Sequence, residues 1–153
     1  NDGRIEQIGT GLDLYMNPKS KFVAEFIGNS NFLDSEIEHV EKDLGKVVFP
    51  DGSEMSGVRY CDKQAMTGKG VVLVRPENIR VHTLKTAHDS DMRVKISDIT
   101  FLGANIHLLV ETQWGQAINI RSPIGLDDSK GVNIGDVAYL RWDSEHGIVF
   151  PGD

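Results

Sequence analysis

The sequence contains little of what crosslinked or membrane-spanning proteins need. Cys61 is the only cysteine among 153 residues, so no disulfide can form within the chain, and a lone thiol favours a reducing compartment. No run of apolar residues approaches the length that a helix needs to cross a bilayer. Hydrophobic residues make up 39% of the chain, which is enough for a core, so we expect one globular domain or two small ones.

Basic clusters and aromatic residues are also scarce. The 16 Lys and Arg residues occur in runs no longer than two, the net charge is -7 at pH 7, and aromatic residues make up 7% of the chain. Nucleic-acid binding draws on clustered Lys and Arg that displace counterions, and single-stranded nucleic acid also needs exposed aromatic side chains. We therefore expect no nucleic-acid partner.

The motifs of common catalytic and cofactor sites are missing as well. A phosphate-binding loop needs G-x-x-x-x-G-K-[ST], but Gly68-Lys69 is followed by Gly70, and the position five before Gly68 is Lys63. The five histidines form no H-x-x-x-H pair, and neither a G-x-S-x-G sequence nor a readable Cys-His pairing is present. We therefore expect no catalytic residue, no cofactor and no metal site in this chain.

Residues 3–33 read as a short strand followed by two amphipathic helices. Residues 4–8 alternate weakly between polar and apolar, which predicts the strand. Thr10 and Asp13 have the spacing of a capping box, in which a hydroxyl and a carboxylate satisfy free amides at a helix start. The apolar stripe of this first helix comprises Leu12, Tyr15 and Met16.

The second helix is predicted to begin at Asn17-Pro18, because Asn is a good N-cap and Pro suits the first helical position. Gly28 should end it in the left-handed conformation. Its apolar stripe comprises Phe22, Val23, Phe26 and Ile27. Both stripes must pack against something, so we expect the two helices to join larger units.

From residue 31 onward the pattern changes to short strands separated by turns. Pro50-Asp51-Gly52 has the composition of a turn. Residues 64–70 read as a loop, whereas residues 71–74 form a continuous apolar run that is typical of a strand buried on both faces. Residues 92–102 read as a long strand whose alternation slips between Ile96 and Ile99, which predicts a bulge. Short strands at this spacing favour an all-β barrel or sandwich.

The residue order of the first stretch resembles the ATP-binding subunits of bacterial ABC importers, at the junction between the nucleotide-binding domain and the C-terminal regulatory domain. The matching elements are Gly3, Ile5, Gln7, Gly9-Thr10, Leu14-Tyr15, Pro18, Phe22-Val23-Ala24, Phe26-Ile27-Gly28 and Asn31-Phe32-Leu33. Gly11 stands where this family usually has proline, which loosens the first helical turn. The close spacing of Gly28 to Asn31 resembles the polyamine, opine and ferric-ion branches more than the maltose branch, and a sugar-importer-like branch stays open.

A second match to this family lies at Arg75-Pro76-Glu77, where its regulatory domains carry an R-P-E step before an apolar strand residue. Two interpretations stay open for these three residues. Arg75 could pair with Glu77 and tie down the turn, or the turn could contact a regulator or partner protein. The later F-L-G at 101–103 and the closing Trp142 resemble the repeated OB-like barrel module of these subunits, the TOBE domain.

The resemblance implies a mainly β fold of two OB-like halves, preceded by a short strand and two amphipathic helices. Residues 1–30 would form the end of a nucleotide-binding domain and a helical connector, and we refer to them as the connector. Residues 31–153 would form a regulatory TOBE domain with halves at about 31–84 and 91–150.

The resemblance further implies a non-catalytic regulatory and dimerisation domain of an importer ATPase subunit that energises uptake of a small solute. ATP and magnesium would bind a catalytic portion expected before Asn1 and not these residues. The implied partners are a second copy of the regulatory domain and membrane permease subunits, on the cytoplasmic side of the inner membrane and without direct insertion. The alternative is a stand-alone module for a molybdate-like oxyanion or another small ligand, since related barrels bind oxyanions between subunits.

Overall fold

The computed structural model describes residues 3–41, 43–62, 64–85, 88–124 and 131–152, and in them two short helices precede ten strands. The helices are α1 (Gly11–Met16) and α2 (Lys21–Ile27). The strands are β1 (Asn31–Glu41), β2 (Leu44–Val48), β3 (Glu54–Tyr60), β4 (Gly68–Val74), β5 (Arg80–His82), β6 (Met92–Leu102), β7 (Asn105–Thr112), β8 (Ala117–Pro123), β9 (Val137–Arg141) and β10 (Ile148–Pro151). Among these residues, no helix has the length and apolar character that crossing a membrane requires. The predicted mainly β class is confirmed.

The strands form two sheets, and each sheet contains one strand from the part of the chain that builds the other sheet. A closed barrel has the order β1-β2-β3-β10-β4, and an open sheet has the order β5-β9-β6-β7-β8. The last strand of the chain thus completes the barrel, where it runs parallel to β3 and antiparallel to β4. β5 pairs instead with β9, at the edge of the open sheet. The stretches 31–84 and 91–150, predicted as two halves, are therefore interlocked.

One hydrophobic core runs from the barrel interior into the open sheet. Val47 and Val72 of the barrel belong to the same buried cluster as Val94 and Leu108 of the open sheet. Removing this apolar surface from water stabilises both sheets together, because neither can expose its inner face without disrupting the other.

β4 is buried on both faces, as its unbroken apolar run predicted. Val72 and Val74 face the shared core. The opposite face of β4 belongs to a second buried cluster, whose members are Ala24, Val71, Leu73, Ile148 and Phe150. α2 therefore covers the outside of β4 and β10, and this packing attaches the connector to the barrel.

The predicted bulge in β6 is confirmed. Ile96 pairs with Val110 and Asp98 pairs with Leu109, so the register between β6 and β7 shifts by one residue at this point. The extra residue bends the strand, and beyond it Ile99 packs against the core while Phe101 is exposed.

Two sequence expectations about local structure are wrong. Residues 4–8 form no strand, and Ile5 and Ile8 are 79% and 83% exposed. A strand needs a neighbour to satisfy its backbone groups, and no described strand pairs with these residues. Residues 68–70 were expected in a loop, but they extend β4 because they pair with β1.

Two side chains join β1 to the open sheet where no backbone pairing connects them. The Asn31 amide donates to the carbonyl of Asn119 and accepts from its N–H, both at 2.8 Å. Gln116 donates to the carbonyl of Phe32 at 2.6 Å and accepts from the N–H of Asp34 at 3.2 Å. These bonds take the place of a strand ladder and align the barrel with the open sheet.

We expect Gly70→Ala to lower the free energy of unfolding by about 1–3 kcal/mol, because the added methyl group overpacks the barrel wall. A Cβ at Gly70 would lie 2.0 Å from Ile37 Cδ1 and 2.8 Å from the Phe150 carbonyl oxygen. Gly11→Ala is the matched control, since a Cβ there has no atom within 4 Å. Urea unfolding measures the free energy of unfolding of both variants. Equal values would contradict close packing of the barrel wall at Gly70.

Candidate functional site

α1 begins with the capping box that the sequence predicted. Thr10 Oγ1 accepts from the N–H of Asp13 at 3.1 Å, and the Asp13 carboxylate accepts from the N–H of Thr10 at 3.3 Å. Both groups satisfy amides that have no partner within the helix, so this helix of six residues has a fixed start.

The second helix begins later than predicted. Its N-cap is Ser20, whose Oγ accepts from the N–H of Val23 at 3.3 Å, and Pro18 lies in the preceding turn. Gln7 holds this turn, because its amide donates to the Asn17 carbonyl at 3.0 Å and accepts from the N–H of Lys19 at 2.9 Å. These two bonds shape the turn, and Asn17 therefore does not cap the second helix.

The predicted apolar stripes face outward more than inward. In α1, Leu12 is 71% exposed and Met16 is 48% exposed. In α2, Phe22 and Phe26 are 42% and 78% exposed, whereas Val23 is buried. The periodicity located the helices but not the side that meets the barrel.

We define the outer face of the connector as its exposed apolar side chains Ile5, Ile8, Leu12, Met16, Phe22 and Phe26. The rings of Phe22 and Phe26 stack with centroids 6.1 Å apart and planes inclined by 14°. A shallow cavity of about 230 Å³ lies beside them, with the half-buried Ile27 in its wall. Ile5, Phe22 and Phe26 line this one hollow, so their exposed apolar surfaces are contiguous, a feature that is common at protein interaction sites.

Gly28 ends α2 in an extended conformation, with φ of -179°, and not in the left-handed one that we predicted. Its importance lies in close packing. A Cβ at this position would lie 3.3 Å from the Tyr15 ring and 3.7 Å from Arg75 Nη1. A glycine here lets α1, α2 and the barrel approach one another.

Arg75 follows β4 and lies at the centre of the junction between the connector and the barrel, with 4% of its surface exposed. Nη2 donates to the Tyr15 carbonyl at 3.2 Å. Nη1 lies within hydrogen-bond distance of oxygens at the end of α2 and just beyond it, on Ala24, Gly28, Asn29 and Ser30. One guanidinium group therefore binds the C-terminal ends of both helices, where backbone carbonyls lack partners within the helix.

The ring of Tyr15 completes the contacts of Arg75. The guanidinium carbon lies 4.2 Å from the ring centroid, and the Tyr15 hydroxyl donates to the Glu77 carboxylate. The ion pair between Arg75 and Glu77, one of our two sequence interpretations, is absent from the described residues, because each group binds the connector instead. Pro76 is buried between them and begins a 3₁₀ turn.

Arg59 on β3 is a second arginine at this junction, and sequence reasoning missed it. It donates to the Met16 carbonyl and to the Asn17 side-chain oxygen, the latter at 2.5 Å. Burial lowers the pKa of both Arg59 and Arg75 from the ordinary arginine value, although an arginine side chain stays charged. Its neighbours Val58 and Tyr60 indicate a short strand, and nothing in that pattern singles out Arg59.

A wide cleft lies away from this junction. It has a volume of about 590 Å³ and is lined by carboxylates such as Asp51 and Asp89 together with Lys85 and Arg93. Acidic and basic side chains both line it, so the cleft singles out no ligand of one charge. The connector junction is therefore the better candidate site.

The turn at Arg75-Pro76-Glu77 lies near the start of a long stretch that matches a known domain family. Residues 72–150, just over half of the chain, match the TOBE_2 profile of the TOBE domain. The chain belongs to the TOBE domain family. Strands β5 to β9, the 3₁₀ turn and the buried Arg75 lie within the matched range of this TOBE chain, which also takes in the end of β4 and most of β10.

The relatives of this TOBE chain are ATP-binding subunits of importers. The chain is 33% identical over 153 residues to the spermidine/putrescine import ATP-binding protein PotA of Thermobifida fusca, covering 99% of the chain and 39% of that protein. It is 30% identical over 146 residues to PotA of Pseudomonas aeruginosa strain UCBPP-PA14, covering 93% of the chain and 40% of that protein. The TOBE chain thus spans well under half the length of these relatives.

A solved structure shares the fold of this TOBE chain. It is the cytoplasmic molybdate-binding protein ModG with molybdate bound, and it superposes with a TM-score of 0.64 at 13% sequence identity. The match covers 80% of this chain and 96% of that protein, so the common feature is the arrangement of strands.

We expect Arg75→Ala to lower the free energy of unfolding by about 3 kcal/mol, since buried carbonyls of both helices lose their donor. Arg75→Lys should recover only part of this loss, because one ammonium group cannot reach Tyr15 and the end of α2 together. Arg80→Ala, at an exposed position on β5, is the control and should change stability by less than about 0.5 kcal/mol. Urea unfolding, with amide hydrogen exchange of α2, checks the prediction, and Arg75→Ala as mild as Arg80→Ala would overturn it.

Proposed function

We propose that this chain is the regulatory part of an importer ATPase subunit that energises uptake of a small solute, with polyamines as the first candidates. The outer face of the connector carries this proposal. It presents exposed apolar side chains opposite the surface that Arg75 holds on the barrel. The longer relatives, named as polyamine importer ATP-binding proteins, align with nearly the whole chain, connector included. Their additional length supplies a partner surface for this face.

The proposed role of the connector is mechanical. A nucleotide-binding portion packed on the outer face would move α1 and α2, and the guanidinium contacts would carry that movement into β4. A regulator that binds one position of the TOBE domain more tightly than the other would then shift the population towards that position. The size of the shift is limited by the difference between its two affinities. In this proposal Arg75 and Glu77 serve regulation by holding the connector.

The remaining parts of the proposal concern chemistry and location. We propose that this chain hydrolyses no ATP by itself and that ATP and magnesium bind the catalytic portion of the intact subunit. We also propose that the intact subunit lies on the cytoplasmic side of the inner membrane, bound to permease subunits. The importer relatives support both statements.

We expect Phe26→Ser to weaken coupling in a chimera that carries this chain in place of the matching part of the Thermobifida fusca relative. ATP hydrolysis per solute taken up should rise by up to about thirtyfold, because the outer face loses an anchor about 2 kcal/mol in strength. Leu84→Ser is the control, since Leu84 is equally exposed at 77% but lies outside the connector. Solute uptake and ATP hydrolysis are measured in vesicles. The same ratio of hydrolysis to uptake in both variants would refute a role for the outer face.

Self-association is a separate prediction. We expect the isolated chain to form dimers through its TOBE domain as concentration rises towards millimolar, because the intact subunits would pair there. Multi-angle light scattering across a concentration series measures this, with Phe26→Ser as a control for association through the connector. A strict monomer throughout would remove the proposed pairing of TOBE domains.

The alternative function is a stand-alone module for a molybdate-like oxyanion. The shared fold with the molybdate-binding protein ModG is the observation that favours it. Titration calorimetry of the isolated chain with molybdate, sulfate and spermidine separates the two readings. Tight molybdate binding would favour the sensor, whereas its absence leaves the importer reading in place.

A further inference from the structure

The two helices of the connector are attached to the barrel in different ways. α2 buries Val23 and Ala24, and Ala24 belongs to the same buried cluster as Leu73 and Phe150. No residue of α1 is buried, and its half-buried Leu14 lies in the wall of the shallow cavity beside Val23 of α2. Burial of apolar surface therefore holds α2 on the barrel and contributes little to the attachment of α1.

Polar contacts attach α1 to the barrel. The Tyr15 carbonyl accepts from Arg75 at 3.2 Å. The Tyr15 hydroxyl donates to the Glu77 carboxylate. The Met16 carbonyl accepts from Arg59. When a helix leaves its site, such bonds are replaced by bonds to water, so release of α1 exposes little apolar surface.

Release of α1 leaves both arginines with hydrogen-bond acceptors. Arg75 Nη1 stays within hydrogen-bond distance of the carbonyls of Ala24 and Gly28, at the end of α2. Arg59 keeps the side-chain oxygen of Asn17 at 2.5 Å, in the turn after α1, and it is half-buried, so water can reach it. Release therefore avoids the large cost of leaving a buried charge without partners.

α1 is closed into a compact loop by contacts that do not involve the barrel. The capping box fixes its start. Gln7 closes the base of the loop, where its amide donates to the Asn17 carbonyl at 3.0 Å and accepts from the N–H of Lys19 at 2.9 Å. Pro18, between these two residues, is buried. The base of the loop is thus anchored, and the helix above it can move as a unit.

We propose that α1 is a detachable segment, which leaves the barrel while α2 stays bound. Leu12 and Met16 of the outer face move with α1, whereas Phe22 and Phe26 stay with α2. A partner that binds across the outer face therefore fits one of the two states better and shifts the population towards it. Detachment is a property of this chain alone, so its test does not depend on the importer proposal.

Amide hydrogen exchange of the full chain in low concentrations of urea tests the detachment. The N–H groups of Leu14 and Asn17 report on α1, where they bond to carbonyls at 3.0 and 2.8 Å, and the N–H of Ala24 reports on α2. We expect exchange in α1 to be nearly independent of urea, because detachment exposes little apolar surface, and exchange in α2 to accelerate with urea. The same urea dependence in both helices would show that the connector opens as one body and would overturn the proposal.

Variants separate detachment of α1 from fraying of the helix in place. Tyr15→Phe keeps the ring on the guanidinium group and removes the bond to Glu77, so exchange in α1 should rise about tenfold while exchange in α2 stays unchanged. Glu77→Ala should give the same rise, and the double variant should add nothing further, because both changes remove one bond. Tyr139→Phe, which changes a half-buried tyrosine on β9, is the control and should leave both helices unchanged.

Three results with these variants would overturn the proposal. Unchanged exchange in Tyr15→Phe would mean that α1 only frays in place. An equal rise in α2 would mean that the two helices leave the barrel together. Additive effects in the double variant would mean that the bond between Tyr15 and Glu77 does not hold α1.

Discussion

A guanidinium group removed from water determines how the connector lies on the barrel. Arg75 must replace its lost hydration with hydrogen bonds, and it finds them on carbonyls at the ends of two short helices. Helices of six and seven residues are too short to be stable alone in water. The barrel therefore stabilises the helices through this contact, and their C-terminal carbonyls solvate a charge that the barrel could not bury alone.

The connector consequently has two unlike sides. Towards the barrel it offers backbone oxygens, the Tyr15 ring and the small side chain of Ala24, which permit close approach. Away from the barrel it offers large apolar side chains such as Phe26. Hydrogen bonds fix direction as well as distance, so a body that packs on the outer face is held in a defined orientation to β4. A connector held only by apolar packing could slide more easily, since hydrophobic contacts are not directional.

Local features of the fold could be predicted from the sequence because their partners are close in the chain. The capping box of Thr10 and Asp13, the bulge after Ile96 and the doubly buried β4 are of this kind. The partners of Arg75 lie 51 and 60 positions away on Ala24 and Tyr15, and no local pattern specifies them. The orientation of the helix stripes could not be predicted for a related reason. An apolar period shows that a helix has an apolar side, but it does not show which surface covers that side.

The exchange of strands between the two sheets has a consequence for biosynthesis. The barrel lacks its fifth strand until Ile148–Pro151 has left the ribosome, although β1 to β4 emerge much earlier. Until then β3 and β4 each present an open edge, and the outer cluster around Leu73 lacks Phe150. A nascent chain or a truncation product that ends before β10 is therefore exposed to intermolecular strand pairing. Pairing of the final four strand residues therefore removes the two open edges of the barrel in the last step of synthesis.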